Sequence, residues 1–167
     1  MFYGVVEEQV IQEGKILDFI KKLFKKKNKS DKDDNKKINH KTNGCTIFGL
    51  PVYIYIDEKD KDKIPELEEQ CKKDAKIINT HEDEALEKSR EYYNEYLEDC
   101  AQEGEEFKKL EKSNIDFGDC VYFASSKTYA ISVWSTFDSH PYCNIYITCD
   151  IKVTEDGEIK YNIYTYD

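Results

Sequence analysis

Cysteine and histidine are the residue types on which catalysis would have to rest in this chain. Asp138, His140 and Cys143 fall close together, with Cys120 upstream. A thiol hydrolase needs a cysteine beside a histidine that a third group orients. This set, with Cys120 or Cys143 as nucleophile, is therefore the one place to look for an enzyme. The local sequence DSHPY reads better as a loop between strands, in which Pro141 breaks the ladder and His140 is exposed or caps a turn. His140, Cys143 and Cys149 are also the nearest approach to a metal site, but there is no CxxC, HExxH or HxH pair. Cys143 and Cys149, on one strand, would stand about 20 Å apart, too far for one zinc. Asp116 and Asp119 in SNIDFGDC are ordinary turn chemistry before a strand. TEDGE lacks the ligand spacing of a calcium loop, and no Gly-rich phosphate loop occurs. No catalytic residue, no metal and no cofactor are expected, and a Cys/His hydrolase is kept only as a second alternative.

The elements that would position any site are easier to read. Ile64, Leu67, Cys71, Ala75 and Ile78 recur at helical spacing, and Pro65 suits the first turn. Thr80 resembles an N-cap for a second helix, with Leu86, Tyr93, Leu97 and Cys100 as its core stripe and Gly104 as a stop or kink. LPVYIYID alternates Val52, Ile54 and Ile56 against Tyr53 and Tyr55, a half-buried strand with Pro51 at its start or on an edge. After Asp119 the period is two throughout. DCVYFAS and TYAISVWS read as strands, followed by 143–153 with Cys143, Ile145, Ile147, Cys149, Ile151 and Val153 on one face. A two-residue Asp156-Gly157 turn would set Val153 against a polar face. A three-residue loop of Glu155, Asp156 and Gly157, with Gly157 left-handed, pairs Val153 with Ile159, Ile151 with Tyr161 and Cys149 with Ile163. The predicted fold class is α+β: an antiparallel sheet with two or three helices on one face. Its other face carries Tyr146, Tyr164 and Tyr166, read mainly as cross-strand ladder contacts.

Charge is segregated along the chain. Residues 15–41 hold 11 Lys and 4 Asp, so they are +7; residues 1–14 carry three glutamates, which leaves −14 of the total −10 for 42–167. A body of that sign disfavours specific nucleic-acid binding. Within 15–29 an apolar stripe (Ile16, Leu17, Phe19, Ile20, Leu23, Phe24) sits among Lys21, Lys22 and their neighbours, a basic amphipathic helix suited to anionic lipid or to a partner. The sequence thus divides into an amphipathic segment 1–24, a lysine-rich flexible linker 25–43 and one domain 44–167. No apolar run reaches a membrane span and no secretory h-region is present, so the expected location is the cytoplasm, with the inner membrane surface as the peripheral alternative. Six cysteines without a secretory signal are read as reduced thiols.

From residue 50 onward the order LPVYIYID, a helical middle, EEFKKLEKSNIDFGD and the closing IKVTEDGEIKYNIYTYD resembles small bacterial families known only as domains of unknown function. The resemblance covers about two-thirds of the chain. It implies a stand-alone cytoplasmic domain, of the immunity type that neutralises a toxin in some versions, and it assigns no catalytic residue.

Function is therefore expected in binding. Between 82 and 106 there are 11 acidic residues and 2 basic ones, so the second helix should present a negative outer face. Glu87, Glu91, Glu95 and Glu98 are the candidate partner-binding residues, and the partner is a basic protein. The alternative is a peripheral adaptor anchored by 15–29, in which Leu17, Phe19, Ile20, Lys21, Lys22, Leu23 and Phe24 dock on a membrane or a partner.

Overall fold

A computed structural model describes residues 18–21, 36–100, 109–135 and 146–166. Two compact units divide the chain, residues 1–34 together with Tyr166, and the body Asn35–Thr165 with Asp167. In the first unit 18–21 is one helical turn, with Phe19 and Ile20 buried and Asp18 and Lys21 exposed. Leu17, Lys22, Leu23 and Phe24 lie outside the described residues.

The body is an α+β fold. Its order is β1 (Lys37–Ile47), β2 (Leu50–Asp57), a 3₁₀ stretch (Glu58–Lys63), α1 (Ile64–Ile78), a 3₁₀ turn (Asn79–His81) and α2 (Glu82–Cys100). A further 3₁₀ turn (Lys112–Asn114) leads to β3 (Ile115–Phe123), β4 (Thr128–Ser135), β5 (Tyr146–Val153) and β6 (Ile159–Tyr166). The six strands lie in sequence order in one sheet. The expectation of a purely antiparallel sheet is corrected at its centre, where β2 and β3 run parallel, with Val52 opposite Cys120 and Ile54 opposite Tyr122. A parallel neighbour needs a long crossover, and the two helices supply it.

The linker expectation is corrected too. Residues 37–43, placed in the flexible linker, belong to β1, which pairs antiparallel with β2. Their inward positions are largely polar, which hides the strand from a hydrophobicity pattern. Thr42 donates its hydroxyl to the Val52 carbonyl (2.8 Å), and His40 Nε2 meets Glu68 Oε1 of α1 at 2.8 Å. Phe48 and Gly49 form the two-residue turn to β2, both with positive φ (54° and 76°), the twist that tight hairpins prefer. The left-handed cost at Phe48 is set against its ring stacked on Phe117 (4.9 Å between centroids).

The core lies between sheet and helices. Cys71, Ala75 and Ile78 of α1 and Ala85, Tyr93 and Leu97 of α2 join Val52, Ile54, Ile56, Tyr129, Ile131, Ile147, Cys149 and Ile151 in one cluster. β3 keeps its place in it by a bulge. Phe117 faces Val133 but Cys120 faces Ile131, so Gly118 and Asp119 together oppose Ser132 and both halves of the strand point inward. Along the opposite face Tyr53, Val121, Ala130 and Thr148 are buried as well, so that face is not an open tyrosine surface at its middle. There Tyr164 donates to Asp150 Oδ1 (3.3 Å); the side chains of Tyr146 and Tyr166 lie outside the described residues.

The β5–β6 loop has the three-residue form. Gly157 is left-handed (φ 79°), its N–H bonds the Thr154 carbonyl (2.9 Å), and the Thr154 N–H bonds the Glu158 carbonyl (2.8 Å). Antiparallel pairing continued from 154 and 158 sets Val153 against Ile159 and keeps both apolar rows on the core side.

Candidate functional site

The helix expected to carry the site is α2, and what it buries decides what it shows. Ala85, Ser89, Tyr93 and Leu97, one per turn, are buried, as is Asn94. Asn94 holds the returning chain with two bonds, its Nδ2 donating to the Leu110 carbonyl (3.1 Å) and its Oδ1 accepting from the Leu110 N–H (2.8 Å). Ser89 satisfies its buried hydroxyl on the Ala85 carbonyl (2.7 Å). At the start of α2, Tyr161 of β6 donates to Glu84 Oε2 (3.0 Å), and the Lys88 ammonium stands 5.5 Å from the Tyr161 ring centroid. Thr80, expected as the N-cap, instead donates to the Ile77 carbonyl (2.7 Å). The chain stays helical through the junction, leaving no extended residue to cap.

With those residues turned inward, Glu91, Glu95 and Glu98 are exposed and Glu87 is half-buried. Spacing of 4, 4 and 3 puts all four on one side of the helix. They are not equivalent. Arg90 grips Glu87 through both carboxylate oxygens, its Nε donating to Oε2 at 3.0 Å, and this hydrogen bonding holds the Glu87 carboxyl below its usual range. Glu91, Glu95 and Glu98 have no ion pair among the described residues. The last turn of α2 has acids and no basic residue, against the sign that a helix C-terminus favours. Like charges four residues apart cost a few tenths of a kcal/mol per pair, about 0.2–0.5. Beyond Arg90, the face gains no ion pair among the described residues.

The thiol chemistry fares differently. Cys45, Cys71, Cys120 and Cys149 are free and buried. Burial raises all four thiols: Cys71 and Cys149 to about 12, Cys45 upward, and Cys120 well above its ordinary value. Burial of this kind disfavours the thiolate that a nucleophilic cysteine needs. His40 is tied to Glu68. His81 Nδ1 lies 2.9 Å from the Thr80 hydroxyl and 3.0 Å from the Ile77 carbonyl. Asp138, His140 and Cys143 lie outside the described residues. Among those described, no group of three His, Cys, Asp or Glu is placed to hold a metal ion.

A feature absent from the sequence reading is an open cavity of about 540 Å³ between α1 and the two turns 124–127 and 154–157. Leu67, Ile77, Tyr122 and Val153 line its apolar part, with Lys73 and Lys127 among the polar lining. Asp74, also in the lining, accepts from the Tyr129 hydroxyl (2.7 Å) and from Gln70 Nε2 (2.9 Å), so it serves the core more than a ligand. The lining comes from four separate segments, which no local spacing could announce.

No family model, no curated protein and no solved structure matches this chain. Among the described residues no helix is long and apolar enough to cross a membrane.

Proposed function

We propose that the body is a non-enzymatic protein-binding module that meets a basic partner through the outer face of α2. An immunity-type protein opposing a basic toxin is the concrete version. The observation that carries the reading is the exposed row Glu91, Glu95 and Glu98, which forms no ion pair among the described residues. A row of like charge that costs stability gains most from a complementary surface, where it accelerates encounter and sets orientation. Glu87 plays a lesser part than its spacing suggests, because Arg90 already neutralises it. The burial of Phe19 and Ile20 counts against those two side chains as lipid anchors.

The test is the triple change Glu91→Gln, Glu95→Gln, Glu98→Gln, with Glu87→Gln as a separate variant. Association with the captured partner at low salt should slow by about tenfold or more in the triple variant and lose most of its salt dependence. The Glu87→Gln variant should change it little. Equal association by wild type and triple variant would rule the face out.

A further inference from the structure

β6 closes the sheet on one side, and among the described residues no strand lies beyond it. The hairpin shows which backbone groups of β6 face outward. The Thr154 N–H bonds the Glu158 carbonyl, and the Glu158 N–H bonds the Thr154 hydroxyl (3.0 Å), so 154 and 158 face each other as a bonded pair. In an antiparallel ladder bonded and non-bonded pairs alternate. Lys160 and Asn162 therefore spend their N–H and C=O on β5, while Ile159, Tyr161 and Ile163 direct theirs to the open edge. Outward groups thus recur about every 7 Å.

The two edges of this sheet are built differently. β1 is guarded: its ladder to β2 shifts register between Lys41 and Thr46, Gly44 is left-handed, and Lys37 and Lys41 lie along it. Such bulges and lysines are how sheet proteins refuse a further strand. β6 has no proline, no glycine and one lysine in eight residues, IKYNIYTY. Among the described residues no strand pairs with its β-prone edge at Ile159, Tyr161 and Ile163.

We propose that β6 accepts an added strand, an extended lysine- or arginine-bearing segment of a partner protein, lying beside α2. This rests on the acidic-face reading and says how the partner is held. Charge selects the occupant. The Tyr161–Glu84 bond and the Lys88–Tyr161 contact place α2 over β6, so alternate side chains of an added strand on the helix side run toward its carboxylates. A second copy of the chain would set two acidic α2 helices and two net charges of −10 side by side, which like-charge repulsion opposes.

The probe is a capped octapeptide of alternating Val and Lys, added to the full-length 15N-labelled protein and read by amide hydrogen exchange and chemical shifts. The controls are an alternating Val and Glu octapeptide and a Val and Lys peptide with a central proline. The uninterrupted Val and Lys peptide should slow exchange at Tyr161 and Ile163 at least tenfold and leave Lys160 and Asn162, already in the ladder, unchanged. The proline and Val and Glu peptides should not. Shifts confined to α2, with Tyr161 and Ile163 unprotected, would overturn strand addition and leave the acidic face standing. Equal protection by the Val and Glu peptide would overturn the basic partner. No response anywhere to the Val and Lys peptide would overturn both readings.

Discussion

At the scale of single residues, Gly118 sits where no side chain has room. A Cβ on Gly118 would lie 1.6 Å from Trp134 Nε1 and 2.7 Å from the Ser132 hydroxyl. Glycine in the bulge therefore lets the indole lie across the strand, where Trp134 donates to Ser132 Oγ (3.1 Å) and the Asp119 N–H shares the same oxygen (2.8 Å). Gly118→Ala should expel the indole and cost about 1–3 kcal/mol, the usual range for overpacking. Because Trp134 is the only tryptophan, its emission spectrum reports the displacement directly, and urea unfolding gives the energy. An unchanged spectrum would mean that strand and indole separate without strain. The thiols offer a second check: four of the six cysteines are buried with raised pKa values, so a native Ellman titration should count no more than two reactive groups, and unfolding should release the rest. The pairing with Arg90 that sets Glu87 apart from Glu91, Glu95 and Glu98 was not anticipated, because the spacing of the four glutamates makes them look equivalent. The two-bond clamp of Asn94 on Leu110 was not legible either, because only the fold brings residues 16 apart in sequence together.

At the scale of elements, legibility followed period. The α1 stripe, the inward rows of β4 and β5 and the three-residue loop at Gly157 could all be read, because a wrong register would have turned apolar rows to water. β1 could not, since beside the apolar Ile38 its inward positions His40 and Thr42 are satisfied by hydrogen bonds to α1 and β2 rather than by apolar bulk. That tie has a pH signature. The hydrogen bond from His40, supported by the Asn43 N–H (3.1 Å), holds the Glu68 carboxyl below its ordinary 4.5. A carboxyl depressed in the folded state contributes stability that is present above its unfolded value and lost as pH falls through its folded value. The wild-type melting temperature should therefore drop between pH 5 and pH 3 by more than that of Glu68→Gln, whose amide does not titrate. Parallel pH profiles would show that the tie carries no stability. The Asn79 side chain makes a second such link, accepting from the Phe48 N–H (2.7 Å) and donating to the Thr46 carbonyl (3.0 Å); it fastens the β1–β2 turn to the helix junction.

For the molecule as a whole, the strand order was the part least open to sequence reasoning. Each hairpin sets its own register locally, but nothing in LPVYIYID specifies DFGDCVYF as its neighbour. The two meet only because the α1 and α2 stripes need one continuous apolar floor. The resulting junction is buried on both faces, at Val52, Tyr53, Ile54, Cys120, Val121 and Tyr122. Their amides should be the last to exchange, at the global unfolding free energy, with β6 exchanging well before them. Faster exchange at Tyr53 and Val121 than at Lys160 and Asn162 would contradict this order. The same junction has a consequence during biosynthesis. When β2 leaves the ribosome its inner edge has no mate, and β3 follows only after residues 58–114. At ~5–20 residues per second that is a wait of roughly 3–12 s. Through that interval an eight-residue strand with a single acid, LPVYIYID, stays unpaired on one side, and the nascent chain's solubility rests on the acidic helical stretch translated behind it. Yield of soluble protein should thus be more sensitive to charge loss in residues 58–100 than the stability of the finished fold is.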